Sequence, residues 1–181
     1  MKLAIGIPHT GTIKAQTVFS LMRALKGASY EYYVIFREGS ILPRNRETIV
    51  EEAIKHGCTH LLFVDSDMFF EKDAIQRLID RKVDVVGVDY MTRKHPSEST
   101  VNHIPGQEGD LRQVLSVATG FMLIDLSIMK NIKKPWFAYE FNEGEIAKGE
   151  DYWFCDRVRE ATHCVWVDLT IKVGHIGDFI Y

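Results

Sequence analysis

Two aspartates separated by one serine come directly after an apolar run, and they are the residues that most suggest chemistry. The run HLLFV, residues 60–64, leads into Asp65, Ser66 and Asp67. Ionised carboxylates are costly to bury, so a pair of them at the end of an apolar strand needs a reason. In a strand, residues i and i+2 point to the same side. The two carboxylates therefore converge if the extended conformation continues, and a divalent cation would remove their repulsion.

Mg²⁺ and Mn²⁺ suit such a pair because both are hard ions that take carboxylate oxygens and commonly hold phosphate oxygens as well. Ser66 is small and can hydrogen-bond to a sugar hydroxyl or to the backbone. The alternative is structural: Asp65 would cap a turn, and Asp67 would begin the next helix. Because Asp-x-Asp also occurs by chance, the triplet by itself leaves both interpretations open.

The elements around this motif predict an α/β fold. Apolar runs rich in β-branched residues alternate with stretches of helical periodicity along the first half of the chain. The predicted strands are residues 3–8, 30–36, 60–64 and 83–88, and the predicted helices between them are residues 12–26, 43–56 and 71–81, the first capped by Thr12. This alternation predicts a doubly wound, mainly parallel sheet flanked by helices.

The second half of the chain is less regular. Residues 92–112 are polar and contain two prolines and two glycines, which predicts a loop or a mobile hairpin. One or two strands are expected around Gly120, a short helix at 126–132, a longer helix at 150–162 and final strand material at 164–175. Since neither an internal repeat nor a linker is visible, we expect a single domain over residues 1–181.

Composition narrows the class of protein. A length of 181 residues suits one domain, and a net charge of −3 without a basic block argues against a nucleic-acid partner. We find no signal peptide and expect no transmembrane segment. Three cysteines without C-x-x-C spacing fit a reducing compartment. Together these features predict a cytoplasmic protein.

The segment LPRNRETIVEEAIKHGCTHLLFVDSDMFFEKDAI, residues 42–75, resembles the centre of GT-A type glycosyltransferases, in particular the family 2-like members. In that family an Arg-Asn near a helix start precedes a strand that ends in Asp-x-Asp. An acidic pair opens a later helix, which KGEDYWFCDRVRE matches, and a histidine lies near the C-terminus, which VGHIGDFIY matches. The three elements occur in the family's order, here in a short single-domain form.

This resemblance implies a GT-A, Rossmann-like nucleotide-binding fold and a metal-dependent enzyme. Such an enzyme moves a sugar from a nucleotide-diphosphate donor, a UDP- or GDP-sugar, to a hydroxyl of a glycan, lipid or protein acceptor. The resemblance makes Asp65, Asp67 and His175 the ligands of Mn²⁺ or Mg²⁺. It also implies that Asp65 contacts the ribose of the nucleotide donor. Since the chain is short compared with many relatives, the acceptor stays undefined.

The resemblance also places a general base at the acidic pair. Asp151 is the candidate, because a carboxylate within reach of the acceptor hydroxyl can take its proton, and the helix dipole favours a carboxylate there. Glu150 could exchange roles with it, and a base in this position favours inversion. The alternative is that both residues are merely capping charges.

Nucleotide-binding residues are expected at two further places. The family holds the nucleobase where the first strand ends, which here means Pro8, His9 and Thr10. Arg44 and Asn45 would touch the base or the diphosphate, with Arg46 as a substitute. Trp136 and Tyr139 could stack on a sugar ring or fill the core.

Two other functions compete with the transferase. A nucleotidyltransferase also uses acidic metal ligands, but it usually has a basic, glycine-rich loop after the first strand, and PHTGTIKAQ holds only one glycine and one lysine there. A non-catalytic nucleotide-sugar binding module would keep the fold without turnover. The presence of both Glu150 and Asp151 argues against that module.

Overall fold

A computed structural model describes residues 1–92 and 96–177. The helices are α1 (Ala15–Leu25), α2 (Leu42–Lys55), α3 (Ala74–Asp80) and α4 (Glu150–Glu160), with a 3-10 helix at Leu126–Asn131. The strands are β1 (Lys2–His9), β2 (Glu31–Glu38), β3 (His60–Val64), β4 (Met68–Phe70), β5 (Val85–Val88), β6 (Val101–His103), β7 (Leu111–Val117), β8 (Phe121–Asp125), β9 (Glu140–Asn142), β10 (Glu145–Lys148), β11 (Val165–Asp168) and β12 (Val173–His175). None of these helices is long and apolar enough to cross a bilayer.

The centre of the fold is an eight-stranded sheet in the order β2-β1-β3-β8-β5-β11-β7-β6. Parallel ladders join β1 to β2, β1 to β3 and β5 to β11. Strand β8 runs antiparallel between β3 and β5, and β7 runs antiparallel between β11 and β6. All the other strands of this sheet therefore point the same way. The predicted α/β fold with a mainly parallel sheet flanked by helices is confirmed.

Alternating side chains of the strands form two cores, one on each face of the sheet. In β1, Leu3 and Ile5 pack on the α1 and α3 face, while Ala4 packs on the face covered by α2 and α4. Helix α2 approaches the sheet closely at Gly6, where an added Cβ would lie 2.3 Å from Ile49 Cγ2. Each fully buried aliphatic side chain contributes about 1.5–3 kcal/mol, so these two layers fix the positions of the strand ends.

Helix α1 begins later than the sequence predicts. Its N-cap is Lys14, in an extended conformation, so the expected cap at Thr12 is wrong. The physical reason is a long-range contact: the Lys14 N–H donates to the carbonyl of Ser66 over 2.8 Å. This bond holds the backbone before α1 against the Asp-x-Asp segment.

The irregular second half forms more strands than the sequence indicates. Residues 92–112 contain β6, which pairs with β7 as a hairpin, and residues 93–95 lie outside the described part of the chain. The run around Gly120 gives two strands, β7 and β8. Strand β4, which follows the Asp-x-Asp segment, pairs antiparallel with β12.

Candidate active site

A cleft of about 500 Å³ opens where β1, β2 and β3 end. The carboxyl ends of parallel strands are the usual ligand-binding edge of an α/β sheet. Predicted residues that line this cleft are Pro8, His9, Thr10, Asn45, Asp65, Ser66, Asp67 and His175. Residues from four separate segments of the sequence therefore meet at one surface.

The Asp-x-Asp segment is a turn and does not continue the strand. Strand β3 ends at Val64, and the Met68 N–H donates back to the Asp65 carbonyl over 3.3 Å. The expectation that an extended backbone makes the two carboxylates converge is therefore wrong. The turn is held because the Ser66 carbonyl accepts from the Thr17 hydroxyl as well as from the α1 N-cap. Each aspartate consequently meets a partner of its own.

Asp67 lies next to His175. The distance from His175 Nε2 to Asp67 Oδ1 is 3.3 Å, and both side chains are largely buried. The pairing of β4 with β12 sets this contact, since His175 stands opposite Met68 and the Ile176 N–H donates to the Asp67 carbonyl over 2.7 Å. The predicted histidine near the C-terminus is thus placed beside the predicted metal-binding aspartate.

The β4–β12 approach depends on a glycine. A Cβ added at Gly174 would lie 1.9 Å from Cε1 of Phe69, a distance that no real side chain adopts. The His175 ring also meets the edge of Tyr90, with ring centroids 5.6 Å apart. The position of the imidazole is therefore fixed by packing on two sides.

The Asp67–His175 pair fits two neighbouring ligands of one cation. Ligands about 2.1 Å from an octahedral ion and at right angles to each other lie about 3 Å apart, close to the spacing seen here. Among the described residues no third acidic, histidine or cysteine side chain completes a metal cage. An ion at this place would need oxygens from water or from a bound phosphate, as is usual for Mg²⁺ and Mn²⁺ sites. The mixed carboxylate and imidazole donors suit Mn²⁺ better than Mg²⁺.

One feature of His175 fits this role less well. Its Nδ1 is buried and has no hydrogen-bond partner among the described residues. Metal-binding histidines usually donate a hydrogen bond from the second ring nitrogen. Here the packing against Tyr90 and the pairing of β4 with β12 orient the imidazole ring instead.

Asp65 meets Arg46, a fully buried cation. The guanidinium donates from Nη2 to Asp65 Oδ1 over 2.9 Å and from Nε to Glu150 Oε1 over 3.2 Å. It also lies 5.1 Å from the ring centre of Phe63. Burial alone would lower the pKa of Arg46, but Asp65 and Glu150 outweigh burial and raise it. Arg46 therefore stays charged and connects the Asp-x-Asp turn to the start of α4.

The acidic pair at the start of α4 divides into two roles. Glu150 is buried and bound to Arg46. Asp151 is partly exposed, and its Oδ1 accepts from the Tyr152 N–H over 2.8 Å. Burial, and then the neighbouring Glu150 charge, raise the pKa of Asp151 to about 6. Raised carboxyl pKa values are typical of functional sites, so Asp151 is the better candidate for a base.

The structure separates the two arginines at the start of α2. Arg44 is exposed and lines a neighbouring groove of about 690 Å³, so its predicted place in the nucleotide cleft is not observed. Arg46, considered only as a substitute, turns inward instead. Asn45 does line the cleft, and its side-chain amide donates to the Gly39 carbonyl over 2.8 Å.

Three polar residues of the cleft were not predicted as binding residues by the sequence analysis. Thr12 and Lys14 precede α1, Ser40 follows β2, and all three line the cleft. The signal for Lys14 was its place as the single lysine in the segment that follows the first strand.

The two aromatic candidates differ in their surroundings. Trp136 is buried and donates from Nε1 to the Ile132 carbonyl. Tyr139 is half-buried and lines the same groove as Arg44.

Comparison with known proteins supports the fold. No family model and no curated protein matches the sequence. Among solved structures, A197 from STIV aligns with a TM-score of 0.69 at 19% identity over 98% of this chain and 87% of that one. S. aureus TarS 1–349 aligns with a TM-score of 0.56 at 12% identity over 94% of this chain, which spans 61% of TarS. At these identities the likeness shows a shared fold.

A third structure is more distant. A protein provisionally described as a nucleotide-diphospho-sugar transferase, from Desulfovibrio desulfuricans G20, aligns at 9% identity with a TM-score of 0.49. The alignment covers 93% of this chain and 81% of that one. We draw nothing from this last likeness.

Proposed function

We propose that the protein is a metal-dependent glycosyltransferase that moves a sugar from a nucleotide-diphosphate donor to an acceptor hydroxyl. The observation that carries the proposal is the contact of Asp67 with His175 on the cleft at the ends of β1 and β3. A two-ligand site of this kind leaves coordination positions for phosphate oxygens. The α/β fold, shared with A197 and TarS, places this contact at the usual ligand-binding edge of the sheet.

The donor would occupy the cleft with its base near Pro8, His9 and Thr10. A volume of about 500 Å³ suits a ligand of this size. Lys14 offers a cation at the same cleft, and it could pair with a phosphate that the metal does not hold. Asn45 and Ser66 offer further hydrogen-bonding groups at the same cleft. We expect a UDP- or GDP-sugar as the donor.

Asp67 and His175 would hold Mn²⁺ or Mg²⁺, which supplies charge stabilisation for the departing diphosphate. Asp65, also predicted as a metal ligand, is bound through Oδ1 to Arg46. We therefore assign Asp65 first to the ribose or to a water at the site. Arg46 would keep this carboxylate oriented while donor binds.

Asp151 would act as the general base. With a pKa of about 6, it is mostly ionised at pH 7 yet more basic than an ordinary aspartate, which suits proton removal from a hydroxyl. It would take that proton as the acceptor oxygen attacks, which makes the reaction an inverting one. Glu150 is less suited to this task because Arg46 already binds it.

The acceptor, whether glycan, lipid or protein, would approach from the side of Asp151. Tyr139 lies on this side, since Glu150 and Asp151 both contribute to the raised pKa of its hydroxyl, after burial. Tyr139 is therefore the aromatic side chain that we expect beside an acceptor.

The proposal is tested by a thermal-shift screen against UDP-, GDP- and dTDP-sugars, each with Mn²⁺ and with EDTA. We expect one nucleotide class to stabilise the protein, and only when Mn²⁺ is present. Slow release of free sugar from that donor should then be measurable, since water can replace the acceptor. Binding without any release would favour the non-catalytic module, and no stabilisation by any donor would refute the proposal.

A further inference from the structure

Strand β2 is the terminal strand of the central sheet. Of the strands described, only β1 pairs with it, so one of its edges carries unpaired backbone groups. At eight residues it is long for an edge strand. Long edge strands that are not covered tend to pair with another chain.

Apolar side chains cluster beside this free edge. Tyr32 and Phe36 of β2 are 49% and 57% exposed, and Met22 of α1 is 67% exposed. With Val34 of β2, these residues border an open groove of about 330 Å³ between β2 and α1. A continuous apolar surface of this kind is a common mark of a protein–protein interface.

We propose that this surface binds a second copy of the same chain through antiparallel pairing of the two β2 strands. A two-fold axis perpendicular to the sheet would then relate the copies, and the eight-stranded sheet would continue from one copy into the other. Homodimers of this kind use one self-complementary patch twice. The evidence for a second copy, as opposed to another partner, lies in the order of residues along β2.

The segment EYYVIFR, residues 31–37 of β2, is complementary to its own reverse when two copies pair antiparallel about Val34. When Val34 stands opposite Val34 of the other copy, Glu31 stands opposite Arg37, and Tyr32 stands opposite Phe36. Opposite charges and aromatic pairs directly across a ladder stabilise antiparallel strands. Because of the two-fold axis, each of these pairs forms twice in the dimer.

Other symmetric registers lose this match. Moving the axis by one residue towards the C-terminus places Glu38 opposite Tyr32 and Arg37 opposite Tyr33, while moving it the other way places Glu31 opposite Ile35. Paired residues of an antiparallel ladder point to the same face. The axis must therefore lie midway between two copies of the same residue, and not between two successive residue pairs. Among these neighbouring registers, only the one centred on Val34 places Glu31 opposite Arg37 and Tyr32 opposite Phe36.

This arrangement has consequences for the rest of the molecule. Both α1 helices would lie on the same face of the continuous sheet, where Met22 of each copy could fill the groove beside β2. The two clefts would open at opposite ends of the combined sheet, because each follows the carboxyl end of its own strands. Dimer formation is thus independent of donor binding.

The test is the oligomeric state of the full chain, measured by sedimentation equilibrium over a range of concentrations. We expect twice the 20.8 kDa chain mass for the wild type. Glu31→Arg and Arg37→Glu should each raise the dimer dissociation constant about tenfold or more, since each places like charges opposite one another. The double variant Glu31→Arg/Arg37→Glu restores opposite charges and should restore the dimer.

Controls separate this interface from general surface effects. Phe36→Lys should abolish the dimer, whereas Phe141→Lys, at an equally exposed phenylalanine (61%) of β9, should not. Circular dichroism would confirm that each variant is folded. A wild type that is monomeric at every concentration overturns the proposal. So does a dimer that the single charge reversals leave intact, or one that the double reversal fails to restore.

Discussion

Arg46 donates a hydrogen bond from Nη2 to Oδ1 of Asp65 over 2.9 Å, and this contact joins α2 to the turn that follows β3. The same guanidinium reaches Glu150 through Nε. One buried cation therefore balances two carboxylates from distant parts of the sequence. It also explains why the strand-end aspartate tolerates a partly buried position.

Replacement of Arg46 should destabilise the fold. Arg46→Met leaves Asp65 and Glu150 without their shared cation, and removal of one partner of a buried ion pair typically costs about 3–5 kcal/mol. Urea unfolding would measure this loss. The matched control is Arg44→Met, two residues away and exposed, which should change stability by less than about 0.5 kcal/mol. Equal effects of the two variants would contradict the assigned role of Arg46.

Asp67→Asn should weaken donor binding only where Mn²⁺ takes part. A neutral amide is a poorer ligand for a hard cation, so calorimetry should show a loss of about tenfold or more in Mn²⁺-dependent affinity. Any residual binding in EDTA should be the same for the variant and the wild type. Asp110→Asn, at an exposed aspartate outside the cleft, serves as the control. If the wild type binds donor with the same affinity in Mn²⁺ and in EDTA, the assignment of a metal site to Asp67 is wrong.

Asp151→Asn should lower turnover but leave donor affinity unchanged. Loss of a general base typically costs about 10²–10⁴ in rate, and the diphosphate would be held elsewhere by Asp67 and His175. If the residue only caps α4, asparagine caps as well and the rate should change little. The release of sugar from bound donor gives the rate, and a near wild-type value would move the base out of this position.

The same variant should be more stable than the wild type at pH 8. The folded-state pKa of Asp151 is about 6, against an ordinary value of 3.8, so the folded state holds a proton more tightly than the unfolded state does. Stability is therefore lost as the pH rises from about 4 through 6, and the full penalty remains above that range. Asn removes this penalty, which should be about 1–3 kcal/mol. Unfolding at pH 4 and pH 8 gives the measurement, and the gain should be small at pH 4.

The rate of sugar release should rise with pH through about 6. Only the ionised Asp151 can accept a proton, so activity increases as that carboxyl loses its own. A profile of rate against pH from 4.5 to 8, with donor saturating throughout, would test this. A flat profile would show that another group removes the proton.

Residues 101–112 should exchange backbone hydrogens faster without donor than with it. This part of the polar stretch carries β6 and an exposed turn with Gly106 and Gly109, and closing segments often exclude water in transferases. Hydrogen exchange in the presence and absence of the preferred nucleotide-sugar measures the change. Identical protection in the two states would refute this expectation.

The sequence alone determined the order and type of most elements in the first half of the chain. Periods of two and 3.6 residues are local properties, which is why β1, β2, β3 and the helices between them could be predicted. The Asp-x-Asp segment was recognisable as two carboxylates directly after an apolar run, and the acidic start of α4 was singled out by the resemblance to GT-A type glycosyltransferases. The boundary of α1 could not be predicted, because a backbone bond from Lys14 to Ser66 decides it.

Only the tertiary structure decided which of these residues meet. Arg44 and Arg46 are two positions apart on one helix, so they point to different sides, and the packing of α2 on the sheet determines that Arg46 is the buried one. His175 comes to Asp67 because β12 pairs with β4, a ladder between strands about a hundred residues apart. Pairing at such a distance depends on how the whole sheet and its two cores pack, and no local period in the sequence records it.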